Sequence, residues 1–261
     1  MNKIYDFCVV QKDGHLTIIT MNRPEVMNAL HYEADLELND VFDDFRDDPS
    51  QWVAIITGAG DRAFSAGNDL KAQAKVKGQR QLPKGGFAGF SMRTDINKPV
   101  IAAVNGFAMG GGFEVALACD IVIAAENATF ALPEPRVGLA ALAGGTVRLP
   151  MLIGWQRAMG ILLTGRRVEA REGAELGFVT AVAKPGQALA VAREWASQIM
   201  ECSPVAVQAS KSVAHAAFYG DGFEELLHRN FSVIREMRTS KDYLKGPAAF
   251  AEKRNPNWTN S

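Results

Sequence analysis

Apolar and polar residues alternate along the first stretch of the chain. The alternation covers residues 7–10 and 16–20, and a polar turn interrupts it, which predicts two strands joined in a hairpin. Pro24 ends the second strand, because proline cannot continue a hydrogen-bonded ladder. Apolar residues then recur with helical spacing over residues 28–47, and a short apolar strand is predicted over 52–57.

Strands and helices continue to alternate further along the chain. Strands are predicted over residues 100–104, 120–125 and 129–132, and a helix is predicted over 113–118. Glycines lie at the joins between these elements, which favours an α/β protein with largely parallel strand pairing. No fixed sequence period is present, so the chain is not a simple repeat array.

From about residue 150 onward, helical patterns dominate. They cover residues 151–164, 169–176, 187–200, 204–218, 221–238 and 248–253, with one short strand predicted over 178–182. No linker rich in serine, glycine or proline separates the two parts of the chain. We therefore expect a core over residues 1–200 and a helical C-terminal region over 201–261 that packs closely against it.

The overall composition is typical of a globular protein. Of the 261 residues, 48% are apolar and 22% are charged, which excludes a disordered chain. The net charge of −1 gives no overall attraction to nucleic acid or to an anionic membrane. The three cysteines form no CxxC pair and the four histidines have no metal-ligand spacing, so neither disulfides nor a metal site is expected. Because no signal peptide or membrane span is present, we expect a cytoplasmic protein.

Three consecutive glycines, residues 110–112, follow a predicted strand and precede a predicted helix. The first N–H groups of a helix have no partner within it and carry partial positive charge, so this turn is a candidate anion or oxyanion site. Close packing of helix against strand is the alternative explanation for glycines here. The turn matches neither a P-loop nor the dinucleotide-binding glycine pattern.

Two glutamates are the candidate acid/base groups. Glu114 falls in the first turn of the helix that the glycines open, and Glu134 lies between Pro133 and Pro135 after an apolar strand. Either carboxylate could be purely structural, Glu114 as a helix-dipole partner and Glu134 as an exposed loop charge. Together they form a plausible pair for general acid–base catalysis, in which differing environments separate the two pKa values.

At this point several motifs, taken in order, resemble those of one known family. They are MNRP at residues 21–24, NAL at 28–30, AFSAGNDL at 63–70, KPVIAAVNG at 98–106, GGGFE at 110–114, ACD at 118–120, TFALPE at 129–134 and GGT at 144–146. Each motif is weak alone, but the ordered set is similar to the enoyl-CoA hydratase/isomerase (crotonase) superfamily. The segment GPAAFAEKR at residues 246–254 is similar to the tails of crotonobetainyl-CoA hydratase-like members.

The resemblance implies an α/β fold, a crotonase-type spiral of ββα units with a C-terminal helical trimerisation region. It implies a homotrimer or a dimer of trimers that acts on an acyl-CoA thioester, with no metal and no cofactor besides the coenzyme A of the substrate. The backbone N–H groups of Asn68 and Gly111 would form the oxyanion hole, and Glu114 and Glu134 would be the catalytic carboxylates. Contacts with substrate or CoA are expected at Arg23, Ala66, Asp69, Leu70, Gly110, Leu142, Phe250 and Lys253. No nucleic-acid or membrane partner is expected.

Two carboxylates favour reversible hydration of a 2-enoyl-CoA, with Glu114 as the base and Glu134 as the proton donor to the α-carbon. A Δ3,Δ2-enoyl-CoA isomerase, which needs one carboxylate, usually at the Glu134 position, is the main alternative. Crotonobetainyl-CoA hydratase (carnitinyl-CoA dehydratase) is another. RNA binding through the lysines of residues 71–84 is disfavoured by the net charge and by the lack of interleaved aromatic residues.

Two segments leave the substrate open. The loop after Gly138 has Ala141 and Leu142 where many relatives carry a Pro-Gly or Pro-Asp pair, and in the family this loop borders the acyl pocket. Residues 71–89 are basic and rich in glycine. They are either a solvated helix and loop or a lid over the acyl chain, with basic residues near the CoA phosphates.

Overall fold

Ten strands form the β-structure of the described residues, which in this computed structural model are 4–75, 81–220, 231–252 and 254–261. In chain order they are β1 (Cys8–Asp13), β2 (Leu16–Met21), β3 (Val53–Gly58), β4 (Ala63–Ser65), β5 (Val100–Val104), β6 (Phe107–Met109), β7 (Ile121–Ala125), β8 (Thr129–Ala131), β9 (Val168–Glu169) and β10 (Ala181–Ala183).

These strands divide into two sheets. Six form the order β1-β2-β3-β5-β7-β10, in which β1 pairs antiparallel with β2 and the remaining pairs are parallel. The other four form the order β4-β6-β8-β9, in which only the pairing of β8 with β9 is antiparallel. The predicted α/β architecture with largely parallel pairing is therefore confirmed.

Helices follow the strand pairs and then dominate the second half of the chain. They are α1 (Tyr32–Asp47), α2 (Leu70–Lys75), α3 (Gly111–Ala118), α4 (Gly145–Ile153), α5 (Trp155–Leu162), α6 (Ala170–Leu176), α7 (Ala188–Met200), α8 (Pro204–Tyr219), α9 (Ser232–Thr239) and α10 (Lys241–Ala251). Single 3-10 turns lie at Pro24–Val26, Phe87–Gly89 and Glu134–Val137.

The connection between the sheets repeats with each turn of the chain. β3 and β4, β5 and β6, and β7 and β8 are consecutive pairs, and each pair contributes one strand to each sheet. A helix or helical turn follows each pair: α2, α3 and the turn Glu134–Val137. The chain therefore winds as a spiral of ββα units, and each passage from a strand of the smaller sheet into a helix occurs on the same side.

Alternating residues of the larger sheet face two separate hydrophobic cores. Ile55 and Ile101 pack with the small face of α7, where Ala192 is fully buried. Ile56 and Ala102 point the other way, into the core shared with the smaller sheet and with α1. Both faces of the sheet are covered, as expected for parallel strands with nearly continuous apolar sequences.

Several predicted boundaries were wrong for local reasons. The single helix expected over residues 151–164 is two helices, because Gly154 has a positive φ of 84° and ends α4. The helix expected from residue 28 begins at Tyr32, since Asn28 is held in a left-handed conformation. The strand expected over 178–182 is shorter and starts at Ala181.

Three short strands, β4, β6 and β9, were not predicted, because two or three residues give no readable period. The helix predicted over residues 221–238 is present as α9, and its first part, residues 221–230, lies outside the described residues. The helix predicted over 248–253 is the last part of the longer α10.

The helical C-terminal part is tied to the core by polar contacts. Lys211 of α8 forms a 2.7 Å ion pair with Asp120, and the side-chain amide of Asn260 donates to the Pro49 carbonyl at 3.0 Å. No helix among the described residues combines the length and the apolar composition that crossing a membrane requires. The domain boundary at residue 200 stays a prediction.

Candidate active site

Three consecutive glycines, Gly110 before α3 and Gly111 and Gly112 in its first turn, each approach a different neighbour. A Cβ built on Gly110 would lie 2.8 Å from Oε1 of Glu134, and one on Gly111 would lie 2.7 Å from the ring of Phe87. A Cβ on Gly112 would lie 2.3 Å from the carbonyl oxygen of Ser65. Close packing therefore explains Gly112, while Gly110 brings backbone directly against a carboxylate.

The predicted oxyanion segments at Asn68 and Gly111 lie side by side. Leu30 accepts a hydrogen bond from Asp69 at 2.9 Å and donates one to Gly67 at 2.8 Å, so its two bonds flank Asn68. In this parallel bridge the N–H of Asn68 is directed away from Leu30. On the other side, a Cβ on Gly67 would come within 2.9 Å of the Gly111 nitrogen. Because Gly111 opens α3, its N–H has no preceding turn to bond.

A buried amide network fixes the segment that carries Asn68. The side chain of Asn28, fully buried, donates to the carbonyls of Ala59 and Ala63 at 3.0 and 2.8 Å. The Ser65 hydroxyl donates to the Asn28 carbonyl at 2.7 Å and accepts from the Gly67 N–H at 3.0 Å. These bonds explain why the motifs at residues 28–30 and 63–70 occur together.

Glu114 is buried beside the start of α4. Its side chain is on α3, only 3% of the residue is exposed, and Oε1 accepts a 2.8 Å hydrogen bond from the Gly145 N–H. The pKa of Glu114 is raised to about 7, chiefly by burial and also by the nearby charge of Glu134. The N–H groups of Gly145 and Ala143 and the guanidinium of Arg148 act in the opposite direction.

Glu134 has an oxygen without a partner. Its Oε2 is shielded from solvent, and among the described residues it makes no hydrogen bond. The prolines on either side supply no N–H groups. Burial raises the pKa of this carboxyl as well. Two acids with raised pKa values therefore lie close enough to repel one another, next to backbone amides at a helix start.

Comparison with known proteins identifies the family. The family model for enoyl-CoA hydratase/isomerase matches residues 11–261. The chain belongs to the enoyl-CoA hydratase/isomerase family. It is 42% identical over 251 residues to a carnitinyl-CoA dehydratase of Salmonella arizonae, covering 95% of this chain and 96% of the relative. It is 43% identical over 249 residues to one of Proteus mirabilis, covering 94% and 95%.

Solved structures support the same assignment. An enoyl-CoA hydratase of Mycobacterium tuberculosis superposes with a TM-score of 0.92 at 38% identity, over 98% of this chain and 99% of that one. A carnitinyl-CoA hydratase of Mycobacterium avium superposes with a TM-score of 0.78 at 38% identity, over 99% and 100%. The family and the crotonase spiral expected from the motifs are confirmed.

The remaining predicted contact residues fall into two groups. Arg23 and Asp69 form a 3.1 Å ion pair, with each side chain about one-seventh exposed, at 15% and 14%. The Asp69 carboxylate also accepts from the Ala72 N–H at 3.0 Å, which caps α2. The Ala66 N–H donates to Met27 at 2.8 Å. These residues support the Asn68 segment. Burial alone would raise the pKa of Asp69, but the hydrogen bonds from Ala72 and Arg23 outweigh it, so the pKa is lowered.

The other group is more exposed or more distant in sequence. Leu70 is half exposed at the start of α2, and Leu142 is 74% exposed in the loop before Gly145. Phe250 belongs to α10, which packs against α9. Lys253 lies outside the described residues.

The basic segment 71–89 is only partly solvated. Lys71, Lys75 and Lys84 are exposed, and residues 76–80 lie outside the described part of the chain. The turn Phe87–Gly89, however, is buried, which is inconsistent with a fully solvated loop. Sequence reasoning missed Phe87 because one aromatic residue among glycines shows no periodicity. It also missed Arg148, whose closeness to Glu114 depends on how α4 packs against α3.

Proposed function

We propose that this family member is a 2-enoyl-CoA hydratase, a hydro-lyase that adds water reversibly across the 2,3 double bond of a CoA thioester. The observation that carries the proposal is the unpartnered Oε2 of Glu134, shielded from solvent and near the buried carboxyl of Glu114. A water held between two such carboxyls would satisfy both. Gly110 lies against the Glu134 carboxyl, and Gly111 follows it in the chain. The N–H of Gly111 is therefore close to Glu134 and is the third element of the site.

The amides of Asn68 and Gly111 would bind the thioester carbonyl oxygen. As the oxygen of water bonds to the β-carbon, the π electrons of the double bond move toward the carbonyl, which becomes an enolate. Fixed N–H donors stabilise this developing charge more than they stabilise the neutral carbonyl, and this difference lowers the barrier. Loss of one such donor costs on the order of 10²–10³ in rate.

The two glutamates would divide the proton transfers. Ionised Glu114 takes a proton from the attacking water, and protonated Glu134 delivers one to the α-carbon as the enolate collapses. The net change is addition of H and OH, and one proton has moved from Glu134 to Glu114. Dehydration runs the same steps in reverse. The raised pKa values suit these roles. The pKa of Glu114, about 7, lets it take up and release a proton near neutral pH, and the upward shift in the pKa of Glu134, caused by burial, favours its protonated form.

The CoA portion would lie outside this acid/base site. Arg23, Ala66, Asp69, Leu70, Gly110 and Leu142 are proposed to border the thioester end. Phe250 and Lys253 are proposed to contact the adenine and the phosphates of a neighbouring subunit's CoA in a cytoplasmic homotrimer or dimer of trimers. If so, Lys253→Ala should raise KM for the acyl-CoA more than for the matching acyl-pantetheine, which lacks the nucleotide. Equal effects on both would reject this assignment.

The experiment that tests the function is a panel of 2-enoyl-CoA esters, followed by the loss of enoyl-thioester absorbance. Crotonobetainyl-CoA belongs in the panel, because the carnitinyl-CoA dehydratases at 42% and 43% identity favour it as a second candidate substrate. A 3-enoyl-CoA ester is the third arm. Its conversion to the 2-enoyl ester without hydration of any member of the panel would reject the hydratase in favour of the isomerase.

RNA binding through residues 71–84 belongs to a different functional class. Retention of RNA that falls steeply as salt is raised would support it. The proposal predicts no such retention, because the net charge is −1 and no aromatic residue lies among the lysines of that segment.

A further inference from the structure

Arg148 places a positive charge beside α3. The residue is half-buried on α4, and α4 packs against α3. Its charge favours the ionised form of Glu114 in the first turn of α3, and that of Cys119, which directly follows the last residue of this helix. The guanidinium is therefore near α3 along its length and reaches the acid/base site from the side of α4.

Two glycines at the start of α4 bring this guanidinium and the Glu114 carboxyl to the same turn. A Cβ built on Gly144 would overlap Nη1 of Arg148, so the arginine side chain folds back over Gly144. The next residue, Gly145, donates its N–H to Oε1 of Glu114 at 2.8 Å, and a Cβ there would lie 3.1 Å from the same oxygen. Consecutive glycines therefore contact groups of opposite charge, which explains the glycine pair of the GGT motif.

The other charged or titratable groups around Arg148 leave its charge unpaired. Asp120, beyond the end of α3, forms its 2.7 Å ion pair with Lys211 of α8. His215 of α8 is a base whose protonation Arg148 disfavours. Within the described part of the chain the Arg148 guanidinium makes no ion pair and no hydrogen bond. A half-buried cation without such a partner costs stability, and what it supplies in return is its field at Glu114.

Glu134 is placed differently from Glu114. It lies against Gly110, before the first residue of α3, and burial raises its pKa. At Glu114 the charge of Arg148 opposes the effect of burial. The proposed mechanism needs the two carboxyls in different states, with Glu114 ionised and Glu134 protonated. A nearby cation favours the ionised form of a carboxyl, so Arg148 distinguishes the base from the acid.

We propose that Arg148 is a positioning residue for the hydration reaction, whose guanidinium, held over Gly144, keeps Glu114 ionised so that Glu114 acts as the base. The proposal rests on the proposed hydratase function and adds to it the group that sets the direction of proton transfer. Arg148 acts on the reaction only through Glu114. Gly144, with a positive φ of 113°, leaves the space that the guanidinium occupies.

The test compares the pH dependence of kcat/KM for 2-butenoyl-CoA in the wild type, Arg148→Gln, Arg148→Met and Arg148→Lys. Loss of the cation should move the acid limb to higher pH. We expect Arg148→Gln and Arg148→Met to be about tenfold less active than the wild type at pH 6 and within about twofold of it at pH 9. Arg148→Lys keeps the charge and should recover part of the loss at pH 6. A merely structural role would lower the activity by the same factor at every pH.

Arg157→Gln is the matched control. Arg157 is an exposed arginine of the neighbouring helix α5, and its replacement changes the net charge by the same amount. The pH profile of this variant should match that of the wild type. An acid limb that does not move in Arg148→Gln overturns the proposal, as does an equal movement in Arg157→Gln. If Arg148→Gln does not fold, Arg148→Met, which keeps an apolar stem on α4, decides in its place.

A second measurement needs no substrate. The infrared carboxyl band that disappears in Glu114→Gln reports the protonation of Glu114, and the midpoint of its titration should be higher in Arg148→Gln than in the wild type. An unchanged midpoint overturns the proposal. A wild-type protein that hydrates no enoyl-CoA would instead reject the hydratase function and leave this titration measurable, so the two failures are distinguishable.

Discussion

The Gly145 N–H donates a 2.8 Å hydrogen bond to Oε1 of Glu114. This bond connects the first residue of α4 to a carboxyl in the first turn of α3, so each of two helix starts faces the same small volume. The positive end of α4 favours the ionised form of Glu114, whereas burial and Glu134 disfavour it. The balance leaves a carboxyl that titrates near neutral pH.

Replacement of either glutamate by glutamine should abolish most of the hydration. Glutamine keeps the shape and can still accept the Gly145 hydrogen bond, but it cannot take or deliver a proton. We expect Glu114→Gln and Glu134→Gln each to lower kcat by about 10²–10⁴-fold, the usual contribution of a general acid or base. Acyl-CoA binding, measured by calorimetry, should persist.

Glu126→Gln is a suitable control for this pair. Glu126 is a surface acid paired with Arg171, and its replacement should not change the rate of hydration. If Glu114→Gln kept nearly full activity while Glu134→Gln was inactive, a mechanism with one carboxylate would replace the one proposed.

The activity should depend on pH through the ionisation of Glu114. A base must be ionised to act, and the pKa of Glu114 is raised to about 7. We therefore expect kcat/KM for 2-butenoyl-CoA to fall about tenfold per unit as the pH drops below about 7, since this parameter reports the free enzyme. An acid limb near the ordinary value of 4.5 would show that burial does not control this carboxyl.

The same shift predicts how stability changes with pH. The folded protein holds the Glu114 proton up to about pH 7, whereas the unfolded chain releases it near 4.5. Folding is therefore unpenalised by this group below pH 4.5 and becomes progressively less favourable as the pH rises to 7. Glu114→Gln should remove that penalty, which is on the order of 3 kcal/mol.

Denaturant unfolding at several pH values measures this effect. Relative to the wild type, Glu114→Gln should be similarly stable at pH 4 and more stable at pH 8. A stabilisation that is the same at both pH values would mean that packing, rather than charge, explains it.

The sequence was sufficient for the main elements and the family. Strands such as Val100–Val104 are fully buried, so their apolar sequences leave little ambiguity, and the glycine triplet marks the start of α3. The spiral arrangement was less accessible. Three-residue strands such as Phe107–Met109 are defined by their neighbours and not by their own pattern.

The candidate site also combines residues that the sequence could predict with residues that it could not. Glu114 could be anticipated because its position relative to the glycines is local. The network of Asn28 and Ser65 links residues 37 apart, and the contact of Phe87 with Gly111 depends on a turn pinned by α1. No single segment contains the information for such contacts, so they became evident only from the packed structure.

Two glycine substitutions should have opposite effects on stability. A Cβ at Gly112 would meet the Ser65 carbonyl at 2.3 Å inside the core, so Gly112→Ala should destabilise by about 1–3 kcal/mol or more. At Gly160, on the exposed side of α5, nothing lies within 4 Å, so Gly160→Ala should be neutral or stabilise by up to about 1 kcal/mol. Thermal unfolding of both variants checks the pair, and a tolerated Gly112→Ala would mean that the strand and helix can separate.

Removal of metal ions should leave the activity unchanged. The described residues contain no group of three histidine, cysteine, aspartate or glutamate side chains arranged to hold a metal. In the proposed mechanism backbone amides, not a cation, stabilise the enolate. Dialysis against a strong chelator should not alter kcat, and a loss of activity that a divalent ion restores would contradict the mechanism.

The ion pair between Arg23 and Asp69 should support the oxyanion segment rather than bind CoA directly. The Asp69 carboxylate joins Arg23 to the start of α2. The backbone N–H of Asp69 donates to the Leu30 carbonyl, immediately beside Asn68. Asp69→Ala removes the cap and half of a largely buried ion pair, which should destabilise the protein by about 1–3 kcal/mol. Because the Asn68 amide would then be less firmly held, kcat should fall more than KM rises.

Asp13→Ala, which breaks an exposed pair with Arg193, should cost less than about 1 kcal/mol and leave both constants unchanged. If Asp69→Ala instead raised KM for acyl-CoA at unchanged stability and kcat, Asp69 would be a substrate contact and the Asn68 amide would be held by other bonds.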